Sequence, residues 1–180
     1  MFSSGGITSS DIDGQITHIS WLHRCNFGGV ERRAHEIAMR LGHRGFSTEM
    51  ICADTLAGCG GGRLGAYDER TIRIICDPYR FGLKDIWERY FIDAATRRLA
   101  GSDDASLVHG QGVNGLPGIR NDIPTVICWH GAGADQLDMD GTLGDYWRET
   151  TFGADRILAI SNQVKSDLVE KGVCVLIRSL

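Results

Sequence analysis

The sequence is short of several features that would mark a function at once. Proline is scarce, at 3 residues, while glycine reaches 24. That balance argues against a disordered chain and for many tight strand-to-helix turns. The 6 cysteines, Cys25, Cys52, Cys59, Cys76, Cys128 and Cys174, form no CxxC pair, and their spacing is wide and irregular. A disulfide scaffold or a zinc site is therefore not expected. Cys52, Cys76 and Cys128 fall inside apolar runs, which reads as reduced, buried thiols in a cytoplasmic protein. Basic charge is not in excess, since the formal net charge is -4. Nucleic acid, which calls for a basic footprint, is not an expected partner. No apolar run reaches the length of a membrane span. The opening "MFSSGGITSSDIDGQ" has no apolar core and so is not a signal peptide; residues 1–15 read as a flexible leader. The phosphate-cradling pattern GxxxxGK(S/T) does not occur, so nothing supports a P-loop nucleotide hydrolase.

What is present is alternation. At 180 residues with a 42% hydrophobic share, the chain suffices for one domain with a sizeable core. Buried strands are expected at Ile16–Leu22, Phe46–Ala53, Arg70–Cys76, Ser106–Gly110, Pro124–Gly131 and Asp155–Ser161, and "VCVLIRSL" begins like another. Between them lie helical patterns. The first, from Val30, carries Val30, Ala34, Ile37, Ala38 and Leu41 on one face, with Gly42 and Gly45 as a stop. A longer one, about Leu83 to Leu99, carries Leu83, Ile86, Trp87, Tyr90, Phe91, Ala94, Ala95 and Leu99. A third holds Val164 and Leu168 and stops at Gly172. Nearly continuous apolar strands separated by helices predict an α/β fold: a Rossmann-like, doubly wound parallel sheet in three layers, over residues 16–180. Such sheets bind ligands beyond the carboxyl ends of their strands. The turns after Leu22, Gly110, His130 and Ser161 would share that rim.

Gly28 and Gly29 join the first strand to the first helix. Free N–H groups and the helix dipole there suit an anion, and glycine lets a ligand approach the backbone. A tight turn without a ligand is the equal alternative. His130 ends the most apolar strand, with Gly131 and Gly133 behind it. It suits a hydrogen bond to a ligand hydroxyl or acid–base chemistry, against a packed rim histidine. His109, followed by Gly110 and Gly112, repeats the arrangement. Ser161 and Asn162 read first as a helix cap. Arg32, Arg33, Arg40 and Arg44 make the first helix basic, as a solvated face or, as the lesser alternative, a contact with anionic lipid. "GGGRLG", Gly60–Gly65, fits GxGxxG but follows the second strand and opens no helix, so a dinucleotide-dependent oxidoreductase ranks last. The loops Ala57–Asp68, Pro78–Leu83 and Ala132–Gly144 are expected to vary with specificity. The last, with Asp135, Asp138, Asp140 and Asp145, lacks the spacing of a calcium loop and reads as solvated.

Taken in order, "NFGGVERRAHEIAMRLGHRGFSTEMIC", "SLVHGQG", "IPTVICWHGAG" and "ADRILAISNQVKSDLVEKGV" resemble the N-terminal domain of family four glycosyltransferases, the group 1 enzymes of the GT-B fold. The resemblance spans about Ile16 to Val173. It implies the acceptor-side half of a retaining, nucleotide-sugar-dependent transferase, with the donor held mostly by a second domain. By the same resemblance, Gly28 and Gly29 lie near the donor diphosphate with Glu31 close behind, His130 contacts the transferred sugar, and Ser161 matches the serine after the sixth strand. His109 and Gly131 join this set as substrate-side positions. No cofactor and no DxD-held metal is implied; the nucleotide sugar is a co-substrate. Because the family's PNG and E-x7-E motifs do not follow Val173, the chain reads as a truncated gene product or as a half that works with a separately encoded donor-binding domain, inactive alone; the other expected partner is a sugar or glycolipid acceptor. The alternative is a non-catalytic sugar-binding or regulatory module.

Overall fold

The computed structural model of the chain describes residues 14–22, 29–54, 68–73, 84–130, 134–173 and 176–179. The leader up to residue 13, Gly28, the Gly60–Gly65 motif, Pro78–Leu83 and Gly131 lie outside the described residues. The elements run β1 (Gln15–Leu22), α1 (Gly29–His43), β2 (Thr48–Asp54), β3 (Asp68–Arg73), α2 (Lys84–Leu99), β4 (Ala105–Gln111), α3 (Leu116–Ile119), β5 (Thr125–Trp129), α4 (Gly141–Gly153), β6 (Arg156–Ala159), α5 (Asn162–Glu170) and β7 (Leu176–Ser179). The strands form one 7-stranded sheet in the order β3-β2-β1-β4-β5-β6-β7. Every pairing is parallel. The chain reverses direction across the sheet between β1 and β4, which is where open sheets of this kind leave a crevice.

Register assigns the two faces, because residues paired across a parallel ladder point the same way. On one face Ile19 pairs with Ile51 and Gly110, Gly110 with Ile127, and Ile127 with Ile157. Ile19 and Ile51 pack under α2, α3 and α4 through Phe91, Ile92, Ala95, Leu99, Leu116 and Tyr146, while Ile127 and Ile157 pack with Leu137 and with Val164 and Leu168 of α5. On the opposite face Met50 and Cys52 meet Ala34 and Ala38 of α1. The expected doubly wound α/β architecture is therefore present. Gly45 (φ 90) and Gly172 (φ 78) end α1 and α5, as the stop signals predicted.

Four details differ from the sequence expectation. The buried side of α1 is Ala34, His35 and Ala38, while Val30, Ile37 and Leu41 are only half-buried. Two alanines bring α1 close to Met50 and Cys52, and the larger side chains are displaced to the flanks. Helix α2 is rotated: Glu88, Phe91, Ile92, Ala95 and Leu99 face inward, whereas Ile86 and Tyr90 are 59% and 45% exposed. The edge-to-face stack of Phe91 on Trp21, with centroids 5.4 Å apart, accounts for that rotation. The stretch Ala132–Gly144 is not simply a loop: Ala134–Asp138 makes a 3-10 turn and α4 starts at Gly141. Asp138 pairs with Lys171, and Asp145 with Arg148. Finally, a 3-10 turn over Gly112–Gly115 and the short α3 connect β4 to β5. Gly110 permits that turn to fold back on β4, since a Cβ there would lie 2.2 Å from the Gly115 nitrogen.

Candidate functional site

Three neighbouring strands each carry a pair of polar residues two apart: His18 and Ser20 within β1, His109 and Gln111 at the end of β4, Cys128 and His130 at the end of β5. The period of two puts each pair on one side of its strand. Register brings them together, His18 beside His109 and Gln111 beside Cys128. All lie on the α1 face. The result is a continuous polar chain from mid-sheet to the carboxyl rim. His18 Nδ1 and His109 Nδ1 are 2.9 Å apart. His109 Nε2 lies 3.4 Å from Cys128 Sγ and 3.5 Å from Gln111 Nε2. Gln111 Oε1 is 2.5 Å from His130 Nε2.

His130 is half-buried, Gln111, His109 and His18 are buried. Desolvation is the largest influence on each ring and holds each pKa below the usual histidine value. For His18 the neighbouring His109 adds to it, and for His109 the neighbouring His130, bringing His109 down to about 4. The positive charge of Arg33 on α1 also disfavours protonation of His109 and His130. Burial pushes the Cys128 thiol up to about 11, so it stays protonated and is a poor nucleophile. At neutral pH the cluster is thus a set of uncharged hydrogen-bonding groups. Among the described residues no group of His, Cys, Asp or Glu side chains is arranged to hold a metal ion.

Beside this chain, α1 opens its N-terminus on the same rim. Gly29, Arg32, Arg33, Glu36, Ile37 and Arg40 line a groove of about 480 Å³. Among the described residues a Cβ on Gly29 would touch nothing within 4 Å. Arg40 pairs loosely with Glu36 at 3.5 Å, both side chains being largely exposed. The groove's balance is cationic; it runs from Gly29, at the positive end of the helix dipole, to Arg40 in the last turn. Glu31 is half-buried in the first turn of α1.

Of the residues singled out from sequence, Gly29, Glu31, His109, His130 and Ser161 lie in described elements, and Gly28 and Gly131 do not. Ser161 is the N-cap of α5, its Oγ accepting from the Val164 N–H at 3.2 Å. Its first reading, a helix cap, is what the structure shows. His109 stands behind Gln111 with both ring nitrogens engaged, so it meets the rim only through that amide. Sequence reasoning missed His18, Gln111 and the role of Cys128. The signal was available: "THIS", "VHGQ" and "CWH" share one spacing.

A family model described as Glycosyltransferase Family 4 matches residues 27–176. The chain belongs to glycosyltransferase family 4. No curated protein matches the sequence. Among solved structures, sucrose-phosphate synthase from Thermosynechococcus elongatus is similar, with a TM-score of 0.65 at 15% identity, over 92% of this chain and 47% of that one. A shorter structure of the same synthase gives 0.60 at 14% identity, over 92% of this chain and 87% of that one. A transferase from Siraitia grosvenorii in complex with UDP gives 0.54 at 12% identity, over 92% and 50%. The chain spans about half the length of the two longer structures, 47% and 50%. At these identities the likeness is one of fold. Among the described residues no helix is long and apolar enough to cross a membrane.

Proposed function

We propose that this glycosyltransferase family 4 chain is the acceptor-side domain of a nucleotide-sugar-dependent, retaining transferase that works with a donor-binding domain. The observation that carries the reading is the shared rim. His130 and the cationic N-terminus of α1 stand side by side at the strand ends where sheets of this topology hold ligands. His130 meets the transferred sugar there. Gly28 and Gly29 clear the approach of the donor diphosphate, whose charge suits the Arg32–Arg33–Arg40 groove; the structural neighbour in complex with UDP carries a group of that chemistry. The resemblance to the family assigns Glu31, Gly131 and Ser161 to the substrate side as well, Ser161 while it caps α5. The acceptor is a sugar or glycolipid. No resident cofactor is required, and the protein acts in the cytoplasm, in contact with a membrane surface at most.

Transfer needs both substrates in one enclosed site, because positioning supplies much of the rate. The test is sugar transfer from a panel of nucleotide sugars, first by the chain alone and then with a supplied donor-binding domain of the family. Transfer confined to the pair supports the proposal, and His130→Ala should lower that rate by at least about 100-fold. Binding of a sugar with no turnover in either arrangement would instead identify a sugar-binding module. An unchanged rate in His130→Ala would remove His130 from the site.

A further inference from the structure

The buried polar chain has a direction. An amide oxygen only accepts hydrogen bonds and an amide nitrogen only donates. With Gln111 Oε1 at 2.5 Å, His130 Nε2 must carry the hydrogen. Gln111 Nε2 then donates toward His109 Nε2, and the protonated thiol of Cys128 donates to the same nitrogen. His109 Nε2 is therefore bare. A neutral ring keeps one hydrogen, so His109 Nδ1 carries it and donates to His18 Nδ1. Each bond fixes the next. Reversing the Gln111 amide would reverse all of them: the Gln111 oxygen would accept from His109 Nε2–H, and the Cys128 S–H would lose the bare nitrogen it donates to.

Gln111 is well suited to hold this direction. It is buried in β4 beside Cys128, and its backbone oxygen accepts from Asn114 Nδ2 at 2.9 Å. His130, by contrast, is half-buried at the rim, and among the described residues only Gln111 hydrogen-bonds its ring.

We propose that Gln111, oriented by His109 and Cys128, locks His130 in its Nε2–H tautomer, so that the rim presents a bare Nδ1 that accepts a hydrogen bond from a ligand hydroxyl. Gln111 and His109 are positioning residues: they act through His130 and touch no ligand themselves. The lock stands on this chain's geometry alone; that the hydroxyl belongs to a sugar rests on the proposed function.

The measurement is long-range proton–nitrogen NMR on the full chain labelled with 15N-histidine, at pH 7. His130 should show an acceptor-type signal for Nδ1 and an N–H-type signal for Nε2. Gln111→Leu removes the lock, and the Nδ1–H form should rise several-fold, pulling both signals toward averaged values. Gln111→Glu keeps an acceptor oxygen facing Nε2 and should restore the original pattern. His109→Phe keeps a ring of similar size without its nitrogens and should loosen the lock; if it does not fold, the Gln111 pair decides. An Nδ1–H tautomer in the unmodified chain, or an unchanged spectrum in Gln111→Leu, would overturn the proposal. Adding uridine diphosphate glucose separates the two claims. Unmoved His130 signals at saturating ligand with a donor-binding domain of the family supplied, and with the lock intact, would leave the lock standing and count against the glycosyl reading.

Discussion

The two faces of the central sheet are built from different chemistry. Under α2, α3 and α4 the sheet presents Ile19, Ile51, Val108, Ile127 and Trp129, closed over by Phe91, Leu116 and Trp147. Toward α1 the same strands present His18, Ser20, His109, Gln111 and Cys128. Both faces are largely dry, yet they do different things. Apolar burial stabilises the fold in proportion to the area removed from water. A buried polar chain contributes little net stability, because each group gives up water to gain its partner. What it gains is direction and placement. The strand order puts the closed face where stability is needed and leads the polar face to the rim where α1 begins.

That contrast can be broken most severely on the apolar side. Phe91→Ala should cost about 4 kcal/mol, because Phe91 is fully buried against Trp21 and its loss leaves a cavity. Denaturant unfolding measures it. The polar face should show itself next, through pH. The folded-state pKa of His109 lies near 4, below its unfolded value of 6.5, so the unfolded chain binds the proton first as pH falls. Stability should be intact above about pH 6.5 and decline toward pH 4, by roughly 3 kcal/mol from His109. His18 shifts in the same direction. In His109→Phe that slope should become shallower; an unchanged slope would show that other groups carry it.

Smaller effects sharpen the comparison at the surface. Arg120 holds Glu149 by bonds of 3.0 and 2.9 Å and lies 4.5 Å from the Tyr146 ring centre, linking α3 to α4 at the edge of the apolar layer. Being partly exposed, the pair should contribute no more than about 1 kcal/mol, read as the loss in Arg120→Ala. His130→Ala should change stability least, by less than about 0.5 kcal/mol, since the ring stands half-buried at the rim. A much larger loss would make His130 a structural residue.

Much of the fold was legible in the sequence because each central strand keeps buried apolar residues on at least one face and helical patterns separate the strands. The succession of strands and helices along the chain, the stops at Gly45 and Gly172 and the cap at Ser161 all follow from local chemistry. The rotation of α2 was not legible: Ile86 and Tyr90 are as apolar as Phe91 and Ile92, and only the stack on Trp21 chooses between them. Helix α4 was hidden by glycines and threonines in "GTLGDYWRETTFG". The site was half legible. His109 and His130 drew notice as strand ends, but the contact between His18 and His109 crosses 91 positions and exists only once β1 and β4 are in register. Gln111 drew none, because the spacing shared by "THIS", "VHGQ" and "CWH" gains its meaning only once register sets the three strands side by side.

The most direct measurement of the division between faces is a titration of the 15N-labelled chain with uridine diphosphate glucose, followed residue by residue. The expected result is a set of perturbed signals on the α1 rim, at Gly29, Arg33, Gln111 and His130, with α2 and the outer side of α4 unmoved. Perturbations on α2 and α4, or none at the rim at saturating ligand, would contradict the assignment of the polar face as the binding face.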